Sequence, residues 1–559
     1  MTTIEEKQEL YDLLDFTDVK KKAILDKIFE KDIFHKSIDV SKDVYNDTNI
    51  DKWVETLPEL EGSKMLINKL IHNPISNEEL LKQRQASYYN YYPDFETLRE
   101  YENDVLWIYK LDDEIKENNL FNVLYPSTFI ISYINYMEPL LELYHMYKIY
   151  FVPLNVLIYP FLSLFAPLYY LNRYLNFNIS IASYVSMLMK FGKLLFNFSG
   201  NIKAVLLKLI TVTSYIVLFV YNAYQTIEYS YMLYDVKKTL DKKMDSLNKF
   251  LVDAVKIIQS VPKNLTKPFV ILNDITSPIS HIKDFTNIYK IWKHKEIQSD
   301  ITNILLTIYA IDTIVAVSKL KNKNNWCITN YSDNTKMWNM KNPILNCKQV
   351  ANPADLSRNI VLTGPNAAGK TTYVKSILSN IILSQTIGIV YAVKSNTIIY
   401  DTIVSFMRIT DILGSKSYFE VEAEYCLQMM KKAQYISDNN KKGLFMMDEP
   451  MHSTPPTEGM STAFAVTEYI GNLPGTNIIL TTHFHKLTML EETYPKSFIN
   501  LSVEAIQNED GFIFPYTVKR GFSYQCIAIE LLTTKHFPDK VIASAINMKN
   551  KICKESSSR

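Results

Sequence analysis

Residues Asn359-Ile-Val-Leu-Thr-Gly-Pro-Asn-Ala-Ala-Gly-Lys-Thr-Thr-Tyr373 decide the fold: an apolar run of strand character enters Gly-x-x-x-x-Gly-Lys-Thr and then helix-forming sequence. Gly364 and Gly369 let the backbone curl, so that Gly364, Pro365, Asn366, Ala367, Ala368 and Gly369 wrap the phosphates of a nucleoside triphosphate. Lys370 then places an ammonium on the β/γ oxygens, the Thr371 hydroxyl is a magnesium ligand, and Thr372 continues the binding set into a helix. That helix, expected from about Thr371 to Ser384, adds the positive end of its dipole.

Two later strands give this loop its context. Gly443-Leu-Phe-Met-Met-Asp-Glu449 is a short, buried-type strand ending in two carboxylates. Asp448 is expected to hold the metal and Glu449 to polarise the attacking water. Asn477-Ile-Ile-Leu-Thr-Thr-His483 is a third apolar strand, ending in a hydroxyl and an imidazole. In a mostly parallel sheet such strand ends converge on one ligand site. The C-terminal part is therefore expected to be an α/β P-loop ATPase domain that uses ATP and Mg2+, with Glu449, His483 and Lys370 as its catalytic residues.

These residues resemble the ATPase domain of the MutS family, the DNA mismatch-repair clamps, over about Met340 to Lys551. Thr363 to Tyr373 is similar to that family's nucleotide loop, with Ala368 where the family prefers glycine. Ser384-Gln-Thr-Ile-Gly388, Asp401-Thr-Ile, Arg408-Ile-Thr-Asp411, Thr482-His-Phe-His-Lys-Leu487, Gly521-Phe-Ser-Tyr524 and Phe537-Pro-Asp-Lys-Val-Ile542 follow in the family's order. Ser415-Lys-Ser-Tyr-Phe-Glu-Val-Glu422 resembles its signature loop, which implies that Ser417 contacts the γ-phosphate held by a partner subunit. The resemblance thus implies a homodimer through the ATPase domain, DNA as partner, and ATP hydrolysis coupled to opening and closing of a clamp. One departure is plain: Pro450-Met-His-Ser-Thr-Pro-Pro-Thr-Glu-Gly459 replaces a Gly-Arg-Gly-Thr-Ser-type loop, with His452 in place of the arginine.

Upstream, the chain reads as helices. Gly62 to Gln85 is a helix, a Pro-containing turn capped by Ser76 or Asn77, and a second helix ending in Arg84-Gln85. This is similar to the start of the family's core and lever region, and Phe285 to Lys319, with Asp312 inside it, resembles the returning lever. The expected division is a helical segment at 1–58, a core and lever-like region at 59–147, a hydrophobic insert at 148–235, returning lever helices at 236–325 and the ATPase at 326–559. With core-like sequence starting near Glu59, no room is expected for a preceding mismatch-reading domain.

At 559 residues the chain exceeds a single core. With 47% hydrophobic and 21% charged residues it is globular, and a net charge of +1 confines any nucleic-acid surface to a local patch. Lys20, Lys21, Lys22 and the helix after Asp235 are candidate contacts. The five cysteines, Cys327, Cys347, Cys426, Cys526 and Cys553, include no Cys-x-x-Cys pair. That spacing predicts a reducing compartment, cytoplasm or nucleus, without a zinc site or disulfide framework. The opening around Glu5, Glu6 and Lys7 is not a secretory leader.

Two runs, 149–171 and 209–227, carry no charge. Each has about the 20 residues needed to cross a bilayer, and two spans would return the chain to the side where it began. Pro153, Pro160 and Pro167, together with Arg173, Lys190, Lys193 and Lys203 in the intervening segment, weigh against a hairpin. A pair of helices buried in a core or dimer interface has the same composition. Membrane tethering with little DNA contact is thus the alternative to a soluble DNA clamp.

Overall fold

The computed structural model describes residues 16–29, 33–90, 92–114, 119–128, 131–195, 201–262, 264–271, 288–345, 349–407, 418–508, 511–525, 527, 529–530, 532 and 535–557. The chain packs into two units, one of Met1–Ile28, Glu96–Lys256 and Asp274–Ile304, the other of Phe29–Phe95, Ile257–Asn273 and Leu305–Arg559.

The second unit is built on a seven-stranded sheet. Its strands, in chain order, are β1 (Asp39–Val40), β2 (Asn359–Thr363), β3 (Thr402–Phe406), β4 (Gly443–Asp448), β5 (Thr476–Thr482), β6 (Phe498–Val503) and β7 (Val518–Arg520). They lie side by side as β1-β3-β4-β5-β2-β6-β7, parallel except for β7, which pairs antiparallel with β6. All five residues of β2 and of β3 are buried, which suits strands covered on both faces and explains their unbroken apolar runs. Helices Tyr418–Asp438 and Pro456–Asn472 pack on the sheet through Met429, Ala433, Val466 and Ile470. A smaller four-stranded sheet joins Asn330–Tyr331, Lys394–Thr397, Lys336–Met340 and Asn352–Asp355 in that spatial order.

Helix Lys370–Thr386 follows β2 and is buried along most of its length. The residues holding its far end come from another part of the sequence. The turn after helix Glu61–Ile71 is capped by Asn77, whose side chain accepts from the Leu80 amide at 3.0 Å, and helix Glu78–Ala86 then delivers Arg84 and Gln85. The Arg84 Nε donates to the Pro268 carbonyl at 2.8 Å, and its Nη1 donates to the carbonyl of Thr386. Gln85 donates to the Gly388 carbonyl at 3.0 Å and the Tyr88 hydroxyl to that of Ile387 at 2.5 Å. A guanidinium is well placed at a helix C-terminus, where unpaired carbonyls and the negative dipole end collect. Burial pulls the Arg84 pKa down to about 10, so it remains a cation at neutral pH.

At the N-terminus of helix Glu61–Ile71 the Asp312 carboxylate, on helix Lys295–Lys321, accepts from the Leu60 amide at 2.9 Å and the Glu59 amide at 3.0 Å. Burial raises its pKa to about 6 despite those two donors. Cys327 and Cys426 are free, and burial pushes their thiols up to about 11 and about 12, so both stay protonated at neutral pH.

The first unit is helical, with Asp18–Ile28, Glu96–Glu114, Asn119–Leu124, Glu138–Met146, Val152–Tyr174, Ile181–Leu195 and the long Ile202–Ser260. A π-helical turn, Tyr147–Phe151, joins Glu138–Met146 to Val152–Tyr174. Asp104 binds Lys243 and accepts from the Ser246 hydroxyl at 2.7 Å, tying Glu96–Glu114 to Ile202–Ser260 beside the buried Trp107, Leu247 and Phe250. Lysines of that long helix named above as candidate phosphate contacts are partly engaged within the unit. Lys237 lies 3.2 Å from Glu142 and 2.7 Å from Asp241, and Lys243 pairs with Asp104.

Candidate active site

The sheet order places the C-terminal ends of β2, β5 and β4 next to one another, so the three polar strand ends meet by topology. After β2 the chain turns at Gly364, where φ is +147° and a Cβ would stand 2.3 Å from the Val503 carbonyl oxygen. Gly369, at φ +94°, caps helix Lys370–Thr386 beneath the ring of Tyr516. Between them Ala367 is left-handed at φ +66°, a conformation that costs an alanine about 1 kcal/mol and persists only where its surroundings impose it. Ala368 is buried, and its amide donates to the Pro365 carbonyl at 3.3 Å.

Lys370 is 5% exposed, with its Nζ 2.8 Å from the Gly364 carbonyl and 3.3 Å from that of Pro365. Glu449 Oε1 lies 3.7 Å away. Burial pushes the ammonium pKa down, and the Glu449 and Asp448 carboxylates offset part of that shift. The Thr371 hydroxyl donates to Asp448 Oδ2 at 2.8 Å, bridging the loop to the end of β4, while the Thr481 hydroxyl of β5 donates to Asp448 Oδ1. Hydroxyl and carboxylate form a hard, all-oxygen pair of the kind magnesium accepts when phosphate and water fill its remaining positions. Among the described residues no group of three or more His, Cys, Asp or Glu could hold a metal. The Thr371–Asp448 pair therefore fits magnesium held jointly by protein and nucleotide.

Glu449 adopts φ +53°, which turns its side chain out of the strand direction. His483 Nε2 lies 2.6 Å from Glu449 Oε1 and 2.7 Å from Asn366 Oδ1, and the carboxylate fixes this nitrogen as the donor. It then has no lone pair for the Lys370 ammonium at 3.3 Å, which is left to the loop carbonyls. The imidazole hydrogen bond, reinforced by the charges of His483, Lys370 and His452, holds the Glu449 pKa below the usual glutamate value. Glu449 is thus ionised and able to accept a proton from water throughout the neutral range. Because protonation removes the base, the acid limb of any turnover it supports lies below the ordinary carboxylate range. His483→Ala removes the largest cause of the depression and is expected to move that limb to higher pH, read from kcat from strongly acidic to neutral solution; an unmoved limb would detach Glu449 from the rate.

The segment after Glu449 is a compact turn. Met451 is buried at φ +60°, and the Ser453 hydroxyl and amide both donate to the Glu422 carboxylate. Gly459 opens the following helix where a Cβ would stand 2.4 Å from the Met451 carbonyl oxygen. Ser417 lies outside the described residues.

Beside the loop is a cavity of about 900 Å³. Pro365, Asn366, Ala367, Gly369, Lys370, Thr371, Thr372 and Glu449 line it, and Met340, Leu345, Val350 and Tyr516 add apolar surface. Its polar groups suit phosphate and its apolar surface an aromatic base. The loop pattern revealed only the polar groups; Met340 and Tyr516 lie far from it in sequence and carry no local signal.

Residues 360–553 match the family model described as MutS domain V. The chain is 33% identical over 202 residues to the DNA mismatch repair protein MutS of Acholeplasma laidlawii, covering 36% of this chain and 23% of that protein. It is 31% identical over 205 residues to the protein of the same name from Fusobacterium nucleatum, covering 37% and 22%. The DNA mismatch repair protein MutS 2 of Halobacterium salinarum is 30% identical over 194 residues, covering 34% and 21%. The match spans less than a quarter of each of these relatives.

Proposed function

Because the chain belongs to the MutS family through its residues 360–553, we propose that it is a magnesium-dependent ATPase whose cycle drives a dimeric, DNA-engaging assembly. The observation that carries this reading is the 2.8 Å hydrogen bond between Thr371 and Asp448, which joins the phosphate loop to the carboxylate end of β4, one strand over from β2's neighbour β5. Bound magnesium would neutralise charge building on the phosphates.

In this reading Lys370 leaves the loop carbonyls for the β/γ oxygens, while Thr371 and Asp448 hold the metal. Glu449, kept ionised by His483, orients the attacking water and takes its proton. The base lies toward Met340 and Tyr516, and the Ser417 of a second copy completes the γ-phosphate contacts. Two copies joined through bound nucleotide would couple hydrolysis to opening and closing. DNA as the substrate of that motion is supported by the family and by its relatives' names.

Binding to mismatched, branched and plain duplexes over a salt titration tests the DNA step. Phosphate contacts give a log Kd that rises steeply with log salt, by about 0.9 per contact. Affinity that is weak and flat in salt for all three duplexes would remove DNA from the reading while leaving nucleotide hydrolysis to its own tests.

A further inference from the structure

Between residues 149 and 227 the chain has no Asp or Glu, and its charges are Arg173, Lys190, Lys193, Lys203 and Lys208. Three helices among the described residues are long and apolar enough to cross a membrane: Glu138–Tyr174, Val205–Ser260 and Lys295–Lys321. Their hydropathies are nearly equal, at 1.8, 1.8 and 1.7, but their surroundings are not. The most apolar stretch of Lys295–Lys321 is 94% buried, whereas those of the other two are 6% and 0% buried.

The exposure runs all the way round the helices. Tyr215, Ile216, Val217, Leu218, Phe219 and Val220 are consecutive, and each is at least 42% exposed. Successive helical residues are about 100° apart, so six in a row face every direction. In helix Val152–Tyr174, Leu168 is the buried residue, and Phe161, Leu162, Leu164 and Phe165 are all exposed. A globular partner or a second copy of the chain covers one face of a helix. Hydrocarbon covers every face.

The two helices are tied together at the base of the insert, where the Ser230 hydroxyl donates to the Ile149 carbonyl. At its tip the Asn172 amide group exchanges two 2.7 Å hydrogen bonds with the backbone of Ile179, closing the turn. Helix Ile181–Leu195 then folds back, with the Tyr184 hydroxyl donating to the Leu164 carbonyl at 2.9 Å. The charge-free segments from Ile149 to Asn172 and from Leu209 to Ile227 are about 36 Å and about 28 Å long as helices, against about 30 Å of bilayer hydrocarbon. Pro160 and Pro167 lie within the first of them, a residue type that membrane helices tolerate.

We propose that these two helices cross a lipid bilayer as a hairpin, anchoring the ATPase to a membrane whose anionic headgroups meet the five cations at the tip. Lys148 and Glu228 mark the near face, and Arg173 and Lys208 the far face. Helix Ile181–Leu195 follows the tip turn, and the long stems of Lys190 and Lys193 let their ammonium groups reach the far headgroups. The inference goes beyond nucleotide hydrolysis and needs no ATP, so either can fail alone.

The test uses the full chain expressed in a bacterial host and extracted with alkaline carbonate, followed by flotation with phosphatidylcholine/phosphatidylglycerol vesicles in high salt. The expected result is retention in the membrane pellet and co-flotation that salt does not reverse. Leu162→Arg combined with Val217→Arg places charge in the hydrocarbon, and is expected to lower the retained fraction at least about tenfold with thermal midpoint and helical content unchanged. Wild-type protein released by carbonate, or stable without detergent as a discrete dimer, overturns the proposal. Equal retention of the double variant would mean aggregation and overturns it too.

Discussion

Replacing Lys370 by alanine is expected to abolish measurable nucleotide binding, raising Kd by at least about 100-fold, or roughly 3 kcal/mol. The ammonium is held among the Gly364 and Pro365 carbonyls and near Glu449, in a pocket that burial makes unfavourable for charge. A triphosphate adds counter-charge beyond that of Glu449 and Asp448, so much of the binding energy passes through one side chain. Titration calorimetry with Mg-ATP measures the loss. Lys370→Met keeps the buried stem and removes the desolvated charge, and its thermal midpoint should match or exceed that of the wild type. A variant that remains folded and still binds at wild-type affinity would overturn the assignment of the phosphate site.

Glu449→Gln is expected to give the opposite pattern. The substituted amide can still occupy the space beside His483 and Lys370 but cannot accept a proton, so nucleotide should bind while kcat falls by about 10² to 10⁴. Single-turnover hydrolysis separates the two steps, and hydrolysis by this variant at the wild-type rate would exclude Glu449 as the base. The neighbouring Asp448 provides a contrast. It accepts from the Thr371 and Thr481 hydroxyls in the metal position, so its loss should be compensated in part by raised magnesium, whereas the loss of Glu449 should not.

The polar end of the site was legible because each of its parts is local. β2, β4 and β5 are continuous apolar runs, each followed at once by polar groups, and a parallel sheet brings such ends together. Other parts were not legible, for different physical reasons. β1 is two residues long, and no periodicity exists over two residues; only its pairing of Asp39 with Thr402 and Val40 with Ile403 makes it a strand. Arg84 grips the Thr386 carbonyl across 302 residues of sequence, and no local pattern encodes such a partner. Helix Lys295–Lys321 and the insert helices share almost the same hydropathy yet differ completely in what covers them. Composition records what a helix avoids, not what it meets.

Helix Lys370–Thr386 is gripped at both ends, and those grips differ in kind. One end opens into the loop that would receive a triphosphate; the other is bolted by Arg84, Gln85 and Tyr88 to a segment that arrived from the opposite end of the sequence. A rod of 17 residues, about 25 Å long, transmits a push with little loss when its interior is already full. If Lys370 changes partners on binding nucleotide, a shift of this helix would be felt at Arg84, whose buried cation is tied to its own helix. The far pivot of such a linkage is visible only in three dimensions.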